Sequence, residues 1–453
     1  MKIRIIGYVV SLLSVVSCTK FLDQKPDQKL VVPEKVSDLQ AILDNSSLMN
    51  DMSPSLDESS TDDYWLPEAT YSAFPDFYRH VYVWQSTQAD HTSHPNDWSR
   101  MYDAVYYCNV ALDNLPKMER TPSNAAEWDN VKGSALFFRS WWFLKIAGIY
   151  AKAYNNETAE TDKGIVLRLT SDFNMKSVRS TVGQTYNRII EDLKEAIPLL
   201  PVTPVHVMRP SKPAAYALLA RTFLNMRMYD QALLYADSSL QIRNELLNYN
   251  EITNTSSNTP FSRFNKEVIF NARVGAYAFA LASPSNAKVD TLLIQQYEPN
   301  DLRLKLFFRT PTERNQYRFK GNYDATISNL FAGIAADEVY LVRAECKARM
   351  GDLPGARSSL DSLLIKRYKQ GEYIPITIAS SLELLAVILK ERRKELLFRG
   401  LRFTDIKRLN LEGAAITPRR LIDGREYSII PNSSGYALPI PQQVIEQSGI
   451  DQN

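Results

Sequence analysis

Eight aromatic residues are concentrated in a stretch of 21 positions between residues 64 and 84. They are Tyr64, Trp65, Tyr71, Phe74, Phe77, Tyr78, Tyr82 and Trp84. Carboxylates and an amide lie among them, at Asp62, Asp63, Asp76 and Gln85. A flat ring covers the C–H face of a sugar, and carboxylates and amides bond to its hydroxyl groups. A sugar that covers about 50–80 Å² of one ring gains roughly 1–2 kcal/mol of binding free energy, at about 25 cal/mol per Å². Two or three such rings therefore support binding in the millimolar to micromolar range.

The sequence thus predicts a carbohydrate ligand at this stretch. The residues expected to contact it are Tyr64, Trp65, Tyr71, Trp84, Asp62 and Asp63. Two alternatives stay open. The rings can instead pin the stretch to neighbouring helices, which is the role predicted for Trp98 at the start of the next helical pattern. A group of acidic residues could also hold a calcium ion, although its spacing is not that of an EF-hand. That group is Asp57, Glu58, Asp62 and Asp63.

Motifs for catalysis are missing from the sequence, which has no Walker loop, no Gly-x-Ser-x-Gly elbow and no His-Glu-x-x-His. His91 and His94, flanked by Asp90 and Asp97, are metal-ligand types but lie in a Ser/Pro loop. We therefore predict no metal and no cofactor. No carboxylate pair stands out among the 51 acidic residues, so a noncatalytic protein is predicted, with a glycoside hydrolase as the less favoured alternative.

The N-terminus has the pattern of an export signal. Lys2 and Arg4 precede an apolar stretch over 5–16, which is too short to cross a bilayer. Val15-Val16-Ser17-Cys18, at and directly after the end of this stretch, resembles the lipobox of bacterial lipoproteins. The sequence therefore predicts a signal peptide over 1–17, acylation of Cys18 and a polar tether over 18–33. An ordinary signal peptide and a buried first helix are the alternatives.

Charge and composition exclude other classes of protein. Lys and Arg number 53 against 51 Asp and Glu, so the chain lacks the basic excess of a nucleic-acid binder. A basic run at 390–408 is interleaved with apolar residues, including Leu396, Leu397, Phe403 and Ile406. This pattern predicts a structural helix with an apolar stripe, charged flanks and short-range ion pairs, and no nucleic-acid partner.

Apolar spacing predicts a mainly α-helical fold. Helical patterns begin near Glu34, Met101, Trp128, Val182 and Ser381, and residues 210–242 and 334–366 each read as a helical hairpin. Residues 46–98 are rich in Pro, Asp and Ser and are predicted to form long ordered loops. Residues 243–330 are mixed, with short strands expected at 267–272 and near Arg318.

The two hairpins repeat each other at an interval of 124 residues. Tyr216, Ala220, Tyr229, Ala232 and Ala236 are matched by Tyr340, Ala344, Leu353, Ala356 and Leu360. Small residues at the first and third matched places after the tyrosine, Ala220 with Ala344 and Ala232 with Ala356, let two helices approach closely. The spacing is similar to a tetratricopeptide repeat. A generic antiparallel helix pair is the alternative. Because the repeats are not contiguous, a helical scaffold with large insertions is predicted.

Four segments together resemble the SusD/RagB family of outer-membrane nutrient-binding lipoproteins. They are CTKFLDQKP at 18–26, WSRMY at 98–102 running into Asn109, FAGI at 331–334 leading to EVYLVRAE at 338–345 and RMGD at 349–352, and ERRKELLFRGLRFTDIKR at 391–408. The last segment is the most specific. Lys20 departs from the acidic or neutral residues that follow the Cys in many members, which weakens the expectation of export to the cell surface.

The resemblance implies a SusD-like domain over 34–453, with four tetratricopeptide-like helix pairs, long irregular insertions and a few short strands. The insertions over about 46–98 and 243–330 are expected to face the ligand. The implied role is a noncatalytic lipoprotein, anchored in the outer membrane and facing the exterior, that binds oligosaccharide or polysaccharide and delivers it to a SusC-type TonB-dependent transporter. A peptide or other nutrient as cargo is the alternative.

Overall fold

The computed structural model describes residues 33–87, 96–275, 283 and 285–453. Cys18, His91 and His94, and with them the predicted signal peptide, lipidation site and histidine pair, lie outside these ranges. Helix accounts for 47% of the structure and strand for 8%, which confirms the predicted mainly α fold. Among the described residues, no helix is both long enough and apolar enough to cross a membrane.

Eight long helices form the scaffold, and each packs on the next along the chain. Their bounds are α6 Asp97–Asn114, α7 Ala125–Tyr150, α8 Val182–Leu199, α9 Lys212–Asn225, α10 Tyr229–Leu240, α13 Ala336–Arg349, α14 Leu353–Leu364 and α15 Ser381–Glu395. The stack confirms the predicted helix-pair scaffold, and both repeated hairpins fold as predicted, at α9–α10 and α13–α14.

The other described helices are short. They are α1 Val36–Leu43, α2 Ser46–Met49, α3 Leu56–Ser59, α4 Glu68–Ser72, α5 Asp76–Tyr82, α11 Thr291–Ile294, α12 Arg303–Phe307, α16 Arg402–Asn410 and α17 Gln442–Ser448. Four of them, α2 to α5, lie in the segment 46–98, which was predicted to be loops. Helices of four to seven residues are too short for apolar periodicity to reveal, which explains this difference.

The strands form five small antiparallel pairs among the described residues. They are β1 Tyr64–Trp65 with β5 Lys288–Val289, β2 Lys163–Val166 with β3 Arg179–Thr181, β4 Val268–Phe270 with β8 Ile334–Ala335, β6 Phe308–Arg309 with β7 Arg318–Phe319, and β9 Arg419–Ile422 with β10 Arg425–Ser428. β4 and β7 confirm the strands predicted at 267–272 and near Arg318.

Local sequence signals set the ends of the scaffold helices. Asn96 caps α6 through a hydrogen bond from the Ser99 amide, and Thr181 caps α8 in a reciprocal box with Gln184. At α14, the Asp352 side chain accepts a hydrogen bond from the Gly355 amide. These side chains satisfy amides that have no partner within the helix, so the helices begin where the sequence places such residues.

The core is organised around α7. From Gly133 to Tyr150 every residue of this helix is buried, which is typical of a helix enclosed on all sides. Phe137 and Trp141 pack against Phe270 of β4 with ring centroids 4.9 and 5.2 Å apart, which joins the scaffold to the strand-containing insertions. Cys108 and Cys346 are buried free thiols, and burial raises the pKa of both.

Candidate functional site

The aromatic stretch from Tyr64 to Trp84 is held on the surface by a strand and two short helices. β1 pairs with β5, so Tyr64 lies opposite Val289 and Trp65 opposite Lys288. Pro67 and Pro75 are the residues that directly precede α4 and α5. The stretch is therefore a folded platform, which fixes the direction of each ring.

Two rings of the stretch are anchors. Tyr64 and Tyr82 are each only 1% exposed. The Tyr64 hydroxyl donates to the Ser59 carbonyl (2.7 Å), and the Tyr82 hydroxyl accepts from the Leu66 amide (2.9 Å). The Arg420 guanidinium stacks over both rings, at 5.0 and 4.4 Å. The prediction that Tyr64 contacts a ligand is therefore corrected, because neighbouring groups cover its ring and its hydroxyl.

Asp62 and Asp63 are also anchors. Arg402 holds the Asp62 carboxylate with two hydrogen bonds of 2.7 and 2.8 Å, and Arg393 donates to the Asp63 carboxylate at 2.8 Å. Burial alone raises the pKa of Asp62, but Arg402 and Arg393 outweigh burial and leave this pKa well below its usual range. The oxygens of both carboxylates tie the stretch to α15 and α16. The predicted sugar contact of Asp63 is corrected because its side chain is 1% exposed, whereas that of Asp62, 18% exposed, stays a prediction.

The remaining rings of the stretch are less deeply buried. Six are half-buried and are called the outer rings below: Trp65, Tyr71, Phe74, Phe77, Tyr78 and Trp84. Tyr78 lies between Phe74 and Phe77, with centroids 5.7 and 5.0 Å away, and Tyr71 packs on buried Tyr82 at 5.6 Å. The structure thus brings together Trp65, Tyr71 and Trp84, three of the four predicted aromatic ligand contacts, on one short folded segment.

Trp84 differs from the other outer rings because it is also tied inward. Its indole N–H donates to the Ser60 carbonyl (2.9 Å), and Arg420 lies 5.0 Å from its ring. Its backbone has φ of 57°, a left-handed conformation that costs free energy in a bulky residue. Replacing Trp84 is therefore expected to disturb the platform as well as any ligand contact.

The acidic residues considered for calcium do not converge on one point. The Asp57 carboxylate faces Lys145 (3.8 Å), and Glu58 accepts from the Gly400 amide (2.8 Å), while Asp62 and Asp63 face arginines. Burial, followed by Asp63 and Asp57, raises the pKa of Glu58 to about 8. In the part of the chain that the structure describes, no group of three His, Cys, Asp or Glu residues is placed to hold a metal ion.

The segment 391–408 is a buried ionic core, in which the charged flanks of the predicted apolar stripe are themselves buried. Glu391, Arg392, Lys394 and Glu395 are all buried. Glu391 and Glu395 pair with Arg303 at 2.6 and 2.9 Å. The short-range pair Lys394–Glu391 exists (2.8 Å), but most partners come from distant segments, which sequence spacing cannot reveal.

The other basic side chains of this segment bind carboxylates as well. The pairs are Arg392–Asp405, Arg393–Asp63, Arg399–Asp337, Arg402–Asp62 and Arg408–Glu345. Lys407 binds backbone carbonyls instead. Except at Lys407, the positive charges of this segment are thus neutralised by carboxylates within the fold. The structure confirms the structural role predicted for the basic run at 390–408.

A cleft beside the outer rings was not anticipated from the sequence. Trp98, Tyr102 and Tyr106 on α6 form one wall, and the loop 166–177 with Val444 and Ile450 closes the rest around a cavity of about 230 Å³. Trp98 packs on Tyr102 and Tyr150 at 4.8 and 5.0 Å, as its predicted packing role requires. The sequence does contain one indication of this wall: Trp98, Tyr102 and Tyr106 are four residues apart, which places their rings on one face of the helix.

Comparison with known proteins gives the family. Residues 20–224 match the SusD-like family described as "Starch-binding associating with outer membrane", and residues 336–453 match the SusD family. The chain belongs to the SusD/RagB family. This places the buried ionic segment 391–408 in the SusD-matching part of the chain. No curated protein sequence matches this SusD/RagB member.

Solved structures share the fold. A SusD superfamily protein from Bacteroides thetaiotaomicron matches with a TM-score of 0.77 at 22% identity, covering 92% of this chain and 99% of the other. A putative sugar binding protein from Bacteroides vulgatus matches at 0.73 and 20%, with coverage of 93% and 99%. A laminarin binding SusD-like protein matches at 0.67 and 18%, with coverage of 92% and 98%.

Proposed function

We propose that this SusD/RagB protein binds oligosaccharide or polysaccharide through its outer rings. The observation that carries the proposal is that six half-buried aromatic rings share one short folded segment, which buried rings and arginine–carboxylate pairs hold in place. The family description as starch-binding and the laminarin-binding structural relative support the class of ligand.

The rigid base of the stretch favours binding. Arg393, Arg402 and Arg420 fix the backbone next to the outer rings through Asp63, Asp62 and the Thr61 carbonyl. Side chains that are already ordered lose less conformational entropy when a ligand arrives, so more of the stacking energy appears as affinity. Each ring that a sugar covers contributes roughly 1–2 kcal/mol.

The proposal assigns binding without catalysis. A general acid must reach the substrate, whereas three carboxyl groups with raised pKa, Asp97, Asp337 and Glu58, lie inside the fold. The exposed Glu68 also has a raised pKa, mainly through its hydrogen bond with Asp423, whose amide it accepts. Burial raises the pKa of Asp97 to about 6 and that of Asp337 to about 7, and both are buried, as is Glu58. Ser55 and Leu56 amides bind Asp97, and Arg399 binds Asp337.

The proposal also includes a lipid anchor on Cys18 in the outer membrane and a SusC-type TonB-dependent transporter as the partner. The family description as associating with the outer membrane supports the location. Several acyl chains, at about 0.8 kcal/mol per buried CH₂, hold a protein stably at a membrane. Such a tether raises the local concentration of the protein beside the transporter, so direct contacts between them can be weak. Mass spectrometry of the native protein tests the anchor, since an unmodified Cys18 contradicts it.

The glycan proposal is tested by array screening followed by calorimetry with Trp65→Ala and Tyr71→Ala. Each variant is expected to weaken binding about 5- to 30-fold, the loss of roughly 1–2 kcal/mol for one ring. Tyr340→Ala, which removes a half-buried ring on the α13 face of the scaffold, is the matched control and is expected to bind normally. Binding of peptides in place of glycans, or normal glycan binding by both variants, contradicts the proposal.

A further inference from the structure

The cleft on α6, lined by Tyr106 and the loop 166–177, has the composition of a second binding site. Tyr106 is half-buried at its wall, and Phe173, which is 79% exposed, stands at its rim. Tyr106 packs edge-on with Tyr107, with ring centroids 5.2 Å apart, and within the described ranges Phe173 has no ring contact. The cleft therefore offers aromatic surface that packing within the protein does not fully cover.

The loop that forms the rim is fixed. Asn109 is completely buried and donates from its amide to the Arg168 and Thr170 carbonyls (2.9 and 3.2 Å). The Asp113 carboxylate binds the Ser171 amide (2.7 Å) and the Thr170 hydroxyl (3.0 Å). Because α6 holds the loop at both places, the cleft exists before any ligand arrives.

Polar groups with spare hydrogen-bonding capacity surround the rings. Arg168 donates to the Met175 carbonyl and to the Ser177 hydroxyl (2.5 and 2.7 Å), which orients its guanidinium. A guanidinium has five N–H donors, and the Ser177 hydroxyl that accepts from it keeps its own hydrogen to donate. Asp172 is exposed, and one of its carboxylate oxygens accepts both hydrogen bonds from Asn174. Within the part of the chain that the structure describes, its second oxygen accepts no hydrogen bond.

This combination identifies the ligand class. A purely apolar ligand leaves Arg168, Ser177 and Asp172 without new partners, and an anion meets the Asp172 carboxylate. A neutral sugar has C–H faces for Tyr106 and Phe173 and hydroxyl groups for both donors and acceptors. The volume of about 230 Å³ lies below the 300–1,000 Å³ of pockets for larger ligands. One sugar unit therefore suits the cleft better than a longer chain.

The cleft lies close to the outer rings. The Asp97 carboxylate, at the first position of α6, accepts from the Ser55 and Leu56 amides at the start of α3. The indole of the outer ring Trp84 donates to the Ser60 carbonyl directly after α3, so this one short helix joins the start of α6 to the outer rings. Trp98, the residue after Asp97, already lines the cleft. Eight residues separate Trp98 from Tyr106, a rise of about 12 Å along an α-helix.

We infer that the α6 cleft is a second sugar subsite, which takes one neutral sugar unit of a glycan that the outer rings also hold. This inference rests on the proposed function. Two contacts on one polymer give it a higher affinity than either contact alone, because the second contact forms intramolecularly.

The test measures calorimetric affinity for the strongest glycan found on the array, as a polymer and as a disaccharide, with Phe173→Ala, Asp172→Asn and the control Tyr107→Ala. Tyr107 is a neighbouring ring, 40% exposed, that does not line the cleft. Phe173 is an exposed side chain, so its removal leaves the fold intact. We expect Phe173→Ala and Asp172→Asn to weaken polymer binding at least fivefold, and Tyr107→Ala to change it less than twofold.

The outcomes separate the two proposals. If Phe173→Ala and Asp172→Asn bind the polymer normally while Tyr71→Ala loses affinity, the cleft is not a sugar subsite and the proposed function stands. If no glycan on the array binds the wild-type protein, both proposals fail. A crystal of the protein with the disaccharide bound in the cleft, with its ring against Tyr106 or Phe173, confirms the subsite, and a disaccharide found elsewhere alone overturns it.

Discussion

At the residue scale, chemical type alone does not decide which side chains of the aromatic stretch meet a ligand. The composition between residues 62 and 84 indicates a sugar site. In the structure, however, Asp62, Asp63 and Tyr64 form hydrogen bonds inside the protein, with Arg402, Arg393 and Ser59 respectively. Their partners lie as much as 340 residues away in the sequence, so local sequence could not expose this use. Trp65 and Tyr71 keep half-exposed rings and remain the residues proposed to contact a glycan.

Replacing Asp62 is predicted to affect stability and to leave the outer rings in place. Asp62→Ala leaves the mostly buried Arg402 guanidinium without its carboxylate, and the free energy of unfolding is expected to fall by about 3 kcal/mol. Urea denaturation measures the change. Asp76→Ala removes the exposed partner of Arg79 and is expected to cost less than about 1 kcal/mol. Unchanged stability of Asp62→Ala together with lost glycan binding contradicts this prediction and supports Asp62 as a ligand contact.

At the element scale, ionic and capping interactions position the helices. Apolar periodicity predicted the long helices and both hairpins, because each has an apolar face that repeats over many turns. The same reasoning could not show that Arg303 and Arg367, from two other segments, are completely buried against α15. Burying such charges requires several partners at once, and the required partners are brought together only by the tertiary fold.

The geometry of Arg303 is predicted to matter as much as its charge. Its guanidinium binds Asp301, Glu391 and Glu395 simultaneously, which an ammonium group cannot reproduce. Arg303→Lys is therefore expected to lower the free energy of unfolding by about 3 kcal/mol, measured by denaturant titration. Arg419→Lys, at an exposed ion pair with Glu426, serves as the control and is expected to change stability by less than about 0.5 kcal/mol. Equal effects of the two substitutions contradict the prediction.

Lys407 is predicted to make stability depend on pH. Its Nζ donates to the Gly148 and Ala151 carbonyls (2.9 and 2.6 Å) at the end of α7, and burial lowers its pKa to about 7. The unfolded lysine keeps its proton up to about pH 10. Between these values the unfolded state binds more protons, so this group makes stability rise with pH, by up to about 1.4 kcal/mol per unit.

The measurement compares the wild type with Lys407→Met from pH 6 to 9. The unfolding free energy of the wild type minus that of Lys407→Met is expected to be constant below the folded pKa of Lys407. Above pH 7 this difference is expected to increase, because the wild type alone gains stability as the pH rises. Lys152→Met, which removes an exposed lysine near the same helix end, is expected to give no such trend. If the difference in unfolding free energy between the wild type and Lys407→Met does not change with pH, the pKa of Lys407 is not lowered in the folded protein and the prediction is wrong.

At the scale of the whole molecule, the stack of helix pairs carries the proposed binding surface on inserted segments. Sequence resemblance and helical spacing were sufficient for the family and the mainly α architecture, as the family matches and the related structures show. They were not sufficient for the α6 cleft, whose walls come from α6, the loop 166–177 and the C-terminal residues Val444 and Ile450. Such a cavity is defined by packing between distant segments.

The central claim is that the outer rings hold the glycan, and hydroxyl-radical footprinting with mass spectrometry tests it most directly. The measurement compares oxidation of each aromatic side chain in the protein alone and with the glycan selected by array screening. Trp65, Tyr71 and Phe74 are predicted to become less oxidised with the glycan, while half-buried Tyr340 on the scaffold stays unchanged. Equal oxidation of the outer rings with and without bound glycan contradicts the account.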